Sequence, residues 1–378
     1  VSAPRPHLSD PDLPKIAVFR ALQLGDLLCA VPALRALRSA FPRSEIIFIG
    51  LPWAEEFARR FSAYIDDFLP FPGYPGLPER VPDLAAIPVF LMEAQRRRFD
   101  LALQLHGSGS FVNSLAMLLG ARSTAGYYVP GEFCPDPALF LEYPDSEPEV
   151  RRHLALMEFL GVPLQGDHLE FPVTEGDRRE FALLDRRFGL TRHEYVCVHP
   201  GSQLPSRRWP PERFAAVSDV LAHRGFQIVL TGSPSEAPLT RAVSDAMRSP
   251  ALDLAGTTSL GALAALLDGA QLLVSNDTGL SHLAAARRVP SVIVANGSDP
   301  ARWAPLDRDL HRVLSYQVSC RPCEYAVCPI GHPCAFGVPI EAVVEQATAL
   351  LRAAKLRRHA HAVLRTPEER GTCVPSGS

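Results

Sequence analysis

Short apolar runs alternate with stretches of helical spacing along nearly the whole chain. Lys15 to Arg20 (KIAVFR) reads as a buried strand, and Leu27, Leu28, Val31, Leu34 and Leu37 then recur at helical spacing. Gly25 and Asp26 therefore stand at the start of a helix that runs to about Ala40, with Pro32 early enough in it to be tolerated. Glu45 to Gly50 (EIIFIG) is a second strand, which makes the opening a βαβ unit of a doubly wound sheet. Pro and Gly crowd between Pro70 and Pro88, so that stretch is expected to be a surface excursion without long regular elements. Phe99 to Leu105 is a strand ending in His106, Gly107 and Ser108, followed by a helix-like run from Phe111 to Leu119, a short strand near Thr124 to Tyr127, a loop from Val129 to Pro148 and a helix from Val150 to Leu160.

The same alternation begins again after a weakly patterned link. A charged helix from Glu175 to Phe188 leads to a strand at Tyr195 to His199, a helix from about Pro211 to His223, a strand at Gln227 to Thr231 and a helix ending near Met247. A helix from Ser259 to Leu267 precedes QLLVSNDTGLSHLAAA, in which a strand-type run meets a helix-type run and places Asn276, Asp277 and Thr278 on the turn between them. Ser291 to Ala295 is the next strand, and helical spacing closes the pattern. These elements predict an α/β chain of two Rossmann-like domains. The expected divisions are a disordered leader at 1–14, a first domain at 15–165, a linker at 166–175, a second domain at 176–337, a helix at 338–358 and a disordered tail at 359–378.

Composition narrows the function classes. The chain has 378 residues, enough for two cores, and its 47% hydrophobic and 21% charged residues are those of a globular protein. A net charge of −3 gives no overall field for nucleic acid, and no run is apolar for long enough to span a bilayer. A cytoplasmic protein is expected, with any membrane contact peripheral. No GxxxxGK[ST], no GxGxxG after the first strand and no GxSxG occurs, which argues against a P-loop kinase, an ordinary NAD enzyme and an α/β-hydrolase.

Three polar turns that follow strands carry the candidate chemistry. Ligands of open parallel sheets bind beyond the carboxyl ends of the strands, where a helix start offers unpaired N–H groups to an anion. Thr278 and Gly279 hold that position after one strand, with Ser281 and His282 in the first helical turn. Here the small Gly279 would let a phosphate approach the backbone, although Asp277 or Thr278 could equally be a plain N-cap. Gly201, Ser202, Ser206, Arg207 and Arg208 follow another strand, where hydroxyls and guanidinium groups suit a diphosphate. Trp209 and Pro210 behind them imply an anchored loop rather than a solvated basic one. Asp26 can be a general base for a sugar or alcohol hydroxyl, or a cap of its own helix. His106 is a candidate for acceptor contact, against the commoner structural use of a lone histidine at a strand end. Cys320, Cys323, Cys328 and Cys334 (C-x2-C-x4-C-x5-C) could form a structural Zn site or be reduced thiols packed in a loop.

Taken together, GDLL in the first turn, HPGS followed by RRWPPERF, and SNDTGLSHLAAA resemble the ADP-heptose:lipopolysaccharide heptosyltransferases, glycosyltransferase family 9, and CRPC with CPIGHPC is similar to the tail of the heptosyltransferase II branch. The resemblance covers about Lys15 to Leu351. It implies a GT-B type fold with two Rossmann-like domains facing a central cleft, the first binding an acceptor and the second a nucleotide sugar. It also implies Asp26 as the catalytic base. Ser202, Arg207, Asp277, Thr278, Gly279 and His282 are implied as donor-binding, with Arg207 standing where the family usually has Lys. The implied reaction is inverting, needs no cofactor for catalysis, and moves a sugar, heptose from ADP-heptose, to a lipopolysaccharide-core or other glycan or glycolipid acceptor, with peripheral inner-membrane contact. A nucleotide-sugar epimerase and a non-catalytic sugar-nucleotide binding protein are the alternatives.

Overall fold

The computed structural model describes residue 8 and residues 13–364 of the chain. The first half builds β1 (Lys15–Phe19), α1 (Leu24–Ala40), β2 (Glu45–Gly50), α2 (Glu55–Arg60), β3 (Asp67–Pro70), α3 (Ala86–Arg96), β4 (Leu101–Gln104), α4 (Val112–Leu118), β5 (Ser123–Tyr128), β6 (Phe140–Glu142) and α5 (Glu149–Phe159). The second half builds α6 (Glu175–Phe188), β7 (Tyr195–His199), α7 (Pro211–Ala222), β8 (Gln227–Leu230), α8 (Ala237–Ala246), β9 (Ala251–Asp253), α9 (Leu260–Gly269), β10 (Leu272–Asn276), α10 (Gly279–Ala286), β11 (Ser291–Val294), α11 (Pro300–Trp303), β12 (His311–Leu314), α12 (Pro333–Phe336) and α13 (Ile340–Leu364).

Each half folds around a six-stranded, wholly parallel sheet. The orders are β3-β2-β1-β4-β5-β6 and β12-β11-β10-β7-β8-β9, which are the same order read from opposite edges. Strand order therefore reverses between β1 and β4 in one sheet and between β7 and β10 in the other, and a crevice opens at each reversal. The central strands are buried throughout because helices cover both faces: β7 and β10 are buried at every position, apolar except at their carboxyl ends (His199, Ser275 and Asn276), and Ile16 to Phe19 of β1 are at most 1% exposed.

Several expectations are refined. The Pro-rich excursion is flanked by β3 and ends inside α3, whose helical pattern includes Pro88 at its third position, where a proline costs no helical hydrogen bond. The loop after β5 contains β6, and β12 completes the second sheet. Asn276 is the last residue of β10 rather than a turn residue. The final helix runs beyond 358 to Leu364. Leu8 and Leu13 pack against the first core, whereas the rest of the expected leader before residue 13, and the tail from 365, lie outside the described residues.

Candidate active site

The loops at the two sheet reversals converge on one cleft of about 570 Å³. It is lined from the first half by Asp26 and its neighbours, and from the second by Ser202, Arg207, Asp277, Thr278, Gly279 and His282. The halves meet directly at two helix starts. A side chain on Gly25 would come within 2.8 Å of the His282 ring, and one on Gly279 within 3.3 Å of Leu24. The other half packs closely against Gly279, which also lines the cleft.

Asp26 occupies the third position of α1, with Gln23 as the N-cap, so it is not the cap residue itself. Its Oδ2 accepts the Gln23 N–H at 3.3 Å. Burial raises its pKa from the ordinary carboxylate value, Arg20 and His282 oppose that rise, and Glu149 adds to it. Arg20 is completely buried beneath it. Arg20 Nε donates to the Asp26 carbonyl at 2.8 Å, and Nη2 lies 2.9 Å from Glu149 and 3.8 Å from Asp26 Oδ1.

Glu149, the first residue of α5, is the hub of this floor. Arg20, Arg152 (3.4 Å) and His153 (3.4 Å) reach its carboxylate from the first half, and Arg302 (2.9 Å) reaches it from the second. Burial alone would raise its pKa, but His153, Arg20 and Arg302 hold it well below the usual range. Burial pushes His153 down to about 4, so the imidazole is neutral at pH 7 and the positive charge comes from the three guanidinium groups.

The opposite wall is organised by Asn276. Its amide is fully buried, accepts from Trp209 N at 2.9 Å and from Asn296 Nδ2 at 3.3 Å, and donates to the Pro200 carbonyl at 2.8 Å. The single side chain ties the ends of β7, β10 and β11 together, so Asn276 positions the loop after β7. The completely buried Trp209 holds the other end of that loop through Nε1 to the Ala335 carbonyl at 3.1 Å.

This anchoring gives the two adjacent arginines different jobs. Arg208 Nε is spent on the Ser202 carbonyl at 2.9 Å. The Arg207 side chain lines the cleft with no hydrogen-bond or ion-pair partner among the described residues, and its buried Nε is unsatisfied. A buried donor without a partner is costly, and a guanidinium in that state is disposed to take an anion.

Thr278 is the N-cap of α10 in extended conformation (φ −157°), and the Thr278 carbonyl accepts from Ser281 Oγ at 2.6 Å. Ser281 is therefore occupied within its own turn. His282 lies 3.6 Å from the Cys29 sulfur across the join between the halves.

His106 is not brought to the cleft. It is 3% exposed, accepts the Ala21 N–H on Nδ1 at 3.2 Å and faces Glu79 at 3.3 Å, so it supports the end of β1 and ties the Pro-rich excursion to it. The four clustered cysteines are not assembled into a metal cage either. Among the described residues no group of three or more His, Cys, Asp or Glu side chains is placed to hold a metal ion. Their segment backs the loop after β7 instead: Ser206 N donates to the Ala326 carbonyl at 3.0 Å, Ser206 Oγ to the Tyr325 carbonyl at 2.5 Å, and His332 Nε2 lies 2.7 Å from the Ser206 carbonyl.

Glu236 and Trp303 line the cleft without having been singled out from the sequence. A side chain on Gly201 would sit 2.1 Å from the Glu236 carboxylate, so that glycine makes room for the acid. The available signal was SPSE after β8, a strand-to-helix turn like the others.

The family model for glycosyltransferase family 9 (heptosyltransferase) matches residues 93–333. Among curated relatives, the lipooligosaccharide heptosyltransferase 2 of Haemophilus ducreyi is 26% identical over 313 residues, covering 78% of this chain and 86% of that protein. The lipopolysaccharide heptosyltransferase 2 of Salmonella typhimurium is 26% identical over 310 residues, covering 77% and 85%. Two solved structures share the fold: a family 9 glycosyl transferase from Veillonella parvula (TM-score 0.76, 23% identity, 90% and 98% of the chains) and the E. coli ADP-heptose lps heptosyltransferase II (TM-score 0.69, 22% identity, 90% and 99%).

Proposed function

The chain belongs to glycosyltransferase family 9, and from that premise we propose that it transfers heptose from ADP-heptose to a lipopolysaccharide-core acceptor with inversion at the anomeric carbon. The observation that carries this reading is the pairing across one cleft of a carboxylate, Asp26, with an unpartnered guanidinium, Arg207. In this reading the second half binds the nucleotide sugar. Arg207, Ser202 and the N–H groups at the start of α10 receive the diphosphate, Asp277 and His282 border the sugar, and the Glu236 carboxylate accepts hydrogen bonds from hydroxyls of the nucleoside. The first half binds the acceptor.

Asp26 takes the proton of the attacking acceptor hydroxyl, whose oxygen forms the new bond to the anomeric carbon. The bond from that carbon to the diphosphate oxygen breaks, and its electron pair leaves with the diphosphate. A raised carboxyl pKa makes Asp26 a stronger base than an exposed aspartate. Charge developing on the leaving group is met by Arg207 and the helix start, so the reaction needs no metal ion. The ion pair from Arg302 to Glu149 keeps the two halves together while this happens.

The test is incubation with ADP-heptose, with and without a heptose-deficient lipopolysaccharide core, in buffer with and without EDTA. The expected result is ADP release that requires the acceptor, a product of inverted anomeric configuration by NMR, and no effect of the chelator. Isomerised nucleotide sugar without acceptor would identify an epimerase, and donor binding without transfer to any acceptor would identify a binding protein.

A further inference from the structure

The segment 316–337 carries the four clustered cysteines and takes no part in the proposed chemistry, yet it is bonded to both loops that flank Arg207. Its two ends close on each other: the Tyr316 ring lies over Gly337, where an added side chain would meet it at 2.2 Å. Within this closed segment Arg321 acts as a bracket. Its Nη1 donates to the Ser298 carbonyl at 2.6 Å, and its Nη2 donates to the carbonyls of Ala295 at 3.1 Å and Tyr316 at 2.9 Å. The Cys323 N–H adds a bond to the Gly297 carbonyl at 2.7 Å. The loop after β11 is thus held at three of its carbonyl groups, all from one side.

The rest of the segment holds the loop after β7. Ser206 is tied to it through its N–H, its hydroxyl and its carbonyl, the last by His332 Nε2 at 2.7 Å. A carbonyl oxygen only accepts, so Nε2 carries the proton in that bond. The two held loops meet beneath Arg207. Gly297 is left-handed (φ 70°), and a side chain added to it would lie 3.7 Å from the Ser206 carbonyl oxygen and 3.8 Å from Arg207 Cγ. The stem of Arg207 therefore rests between two loops that one segment fastens. A buried donor without a partner is costly, and such a group keeps its place only when the residues around it are fixed. Neither Arg321 nor His332 lines the cleft, so neither is placed to touch the ligand directly.

We infer that Arg321 and His332 are positioning residues of the donor site, which clasp the loops after β11 and β7 and so hold Arg207 where it meets a diphosphate. The inference rests on the donor-binding role of Arg207 proposed above. It gives the cysteine-bearing segment a task that needs no metal ion: the segment is the backing that keeps an unpaired guanidinium aimed into the cleft. Displacement of a binding group by even a fraction of its reach costs affinity, because the fork must meet the phosphate oxygens in one geometry.

The test is calorimetric titration of the full chain with ADP, together with transfer kinetics, for wild type, Arg321→Met, Arg321→Lys, His332→Ala, Arg207→Ala and the double variant Arg207→Ala/Arg321→Met. Arg321→Met and His332→Ala should each weaken ADP binding by roughly five- to tenfold, less than the loss of Arg207 itself, and Arg321→Lys should recover part of it. The KM for ADP-heptose should rise in step while the KM for the acceptor stays at the wild-type value. In the double variant ADP should bind within about twofold of Arg207→Ala alone, because the group that the clasp positions is gone. His332→Ala removes a single hydrogen bond, so it carries the test should Arg321→Met fail to fold. Additive losses in the double variant overturn the inference, as do single variants that melt earlier but bind ADP as wild type does. A wild type that binds ADP and transfers no heptose refutes the proposed reaction and leaves the clasp standing, whereas one that binds no ADP overturns both.

Discussion

The two walls of the cleft come from sheets of the same strand order, yet they are built on opposite electrostatic plans. In the wall after β1 and β4 the buried charges are paired with one another: Arg20, Arg152 and Arg302 all reach Glu149, and only single atoms of the cluster, Arg152 Nε and His153 Nε2, are left unsatisfied. The wall after β7 and β10 is left open, with Arg207 unpaired and Asn276 spending all its bonding capacity on holding the loops around it. A wall of paired charges fixes a group that must act in one geometry. An open wall keeps donors ready for a ligand that brings its own charge. In the proposed reaction the same topology thus serves chemistry on one side and binding on the other.

Removing the carboxylate from the first wall should break this contrast most completely. Asp26→Asn is expected to lower the transfer rate by about 10²–10⁴-fold, the usual range for a general base, with donor affinity by calorimetry unchanged. Because the folded state raises the Asp26 pKa, the carboxylate is destabilising wherever the pH lies above that raised value. The same variant should therefore melt at a higher temperature than wild type at pH 7, and a lower melting temperature would contradict the burial argument.

Glu149 tests the pairing in that wall through stability. Glu149→Ala leaves Arg20, Arg152 and Arg302 without their shared counter-ion, and breaking a buried pair costs about 3–5 kcal/mol. Its folded pKa is depressed, so its contribution is fully present above the unfolded value of about 4.3 and is lost as the pH falls through the lower folded value. Urea unfolding should show a wide gap between variant and wild type at pH 7 that narrows only below about pH 4.3.

On the open wall the expected losses are in affinity. Arg207→Ala should weaken donor binding by roughly 10- to 100-fold, which corresponds to charge-assisted hydrogen bonds worth about 1.5–3 kcal/mol. Arg207→Lys should fall between, since it keeps the charge and gives up the fork geometry. Arg208→Ala is the control, because its guanidinium is bonded to the Ser202 carbonyl and its loss should act on loop order.

The walls also differed in how far the sequence revealed them. Asp26, Ser202, Arg207 and the Asp277 to His282 stretch were legible because each follows a strand at a sheet reversal, and strand–turn–helix order is a local pattern. The floor of the first wall was not. Arg20, Glu149 and Arg302 are far apart in the chain, and nothing local marks them as one cluster. Asn276 looked like a turn residue because the polar run in SNDTG conceals that the strand ends one residue later. β3 and β12 are four-residue strands beside proline-rich and irregular segments, too short for periodicity to distinguish. His106 shows the reverse case, a polar residue at a strand end legible in the sequence whose ring is turned into the protein toward Ala21 and Glu79.

The smallest effect is expected where the walls touch. A methyl group on Gly25 would lie 2.8 Å from Cδ2 of His282, so one of the two must move. Overpacking of this kind commonly costs about 1–3 kcal/mol when the neighbour is fixed. Here the neighbour is a side-chain ring, and His282 also borders a cavity of about 230 Å³ that Gly25 does not line. The ring can swing into that space, so Gly25→Ala should cost little in melting temperature and act on the donor side instead. The expected result is a raised KM for ADP-heptose, with kcat lowered less because Asp26 keeps its place in α1. Gly279→Ala makes its closest approach at 3.3 Å to the Leu24 Cβ, an atom close to the backbone that cannot swing aside. Its strain should instead part the two helix starts slightly and lower kcat and donor affinity together. If both variants changed only stability, the contact would be mere packing, and the two walls would not depend on their register across it.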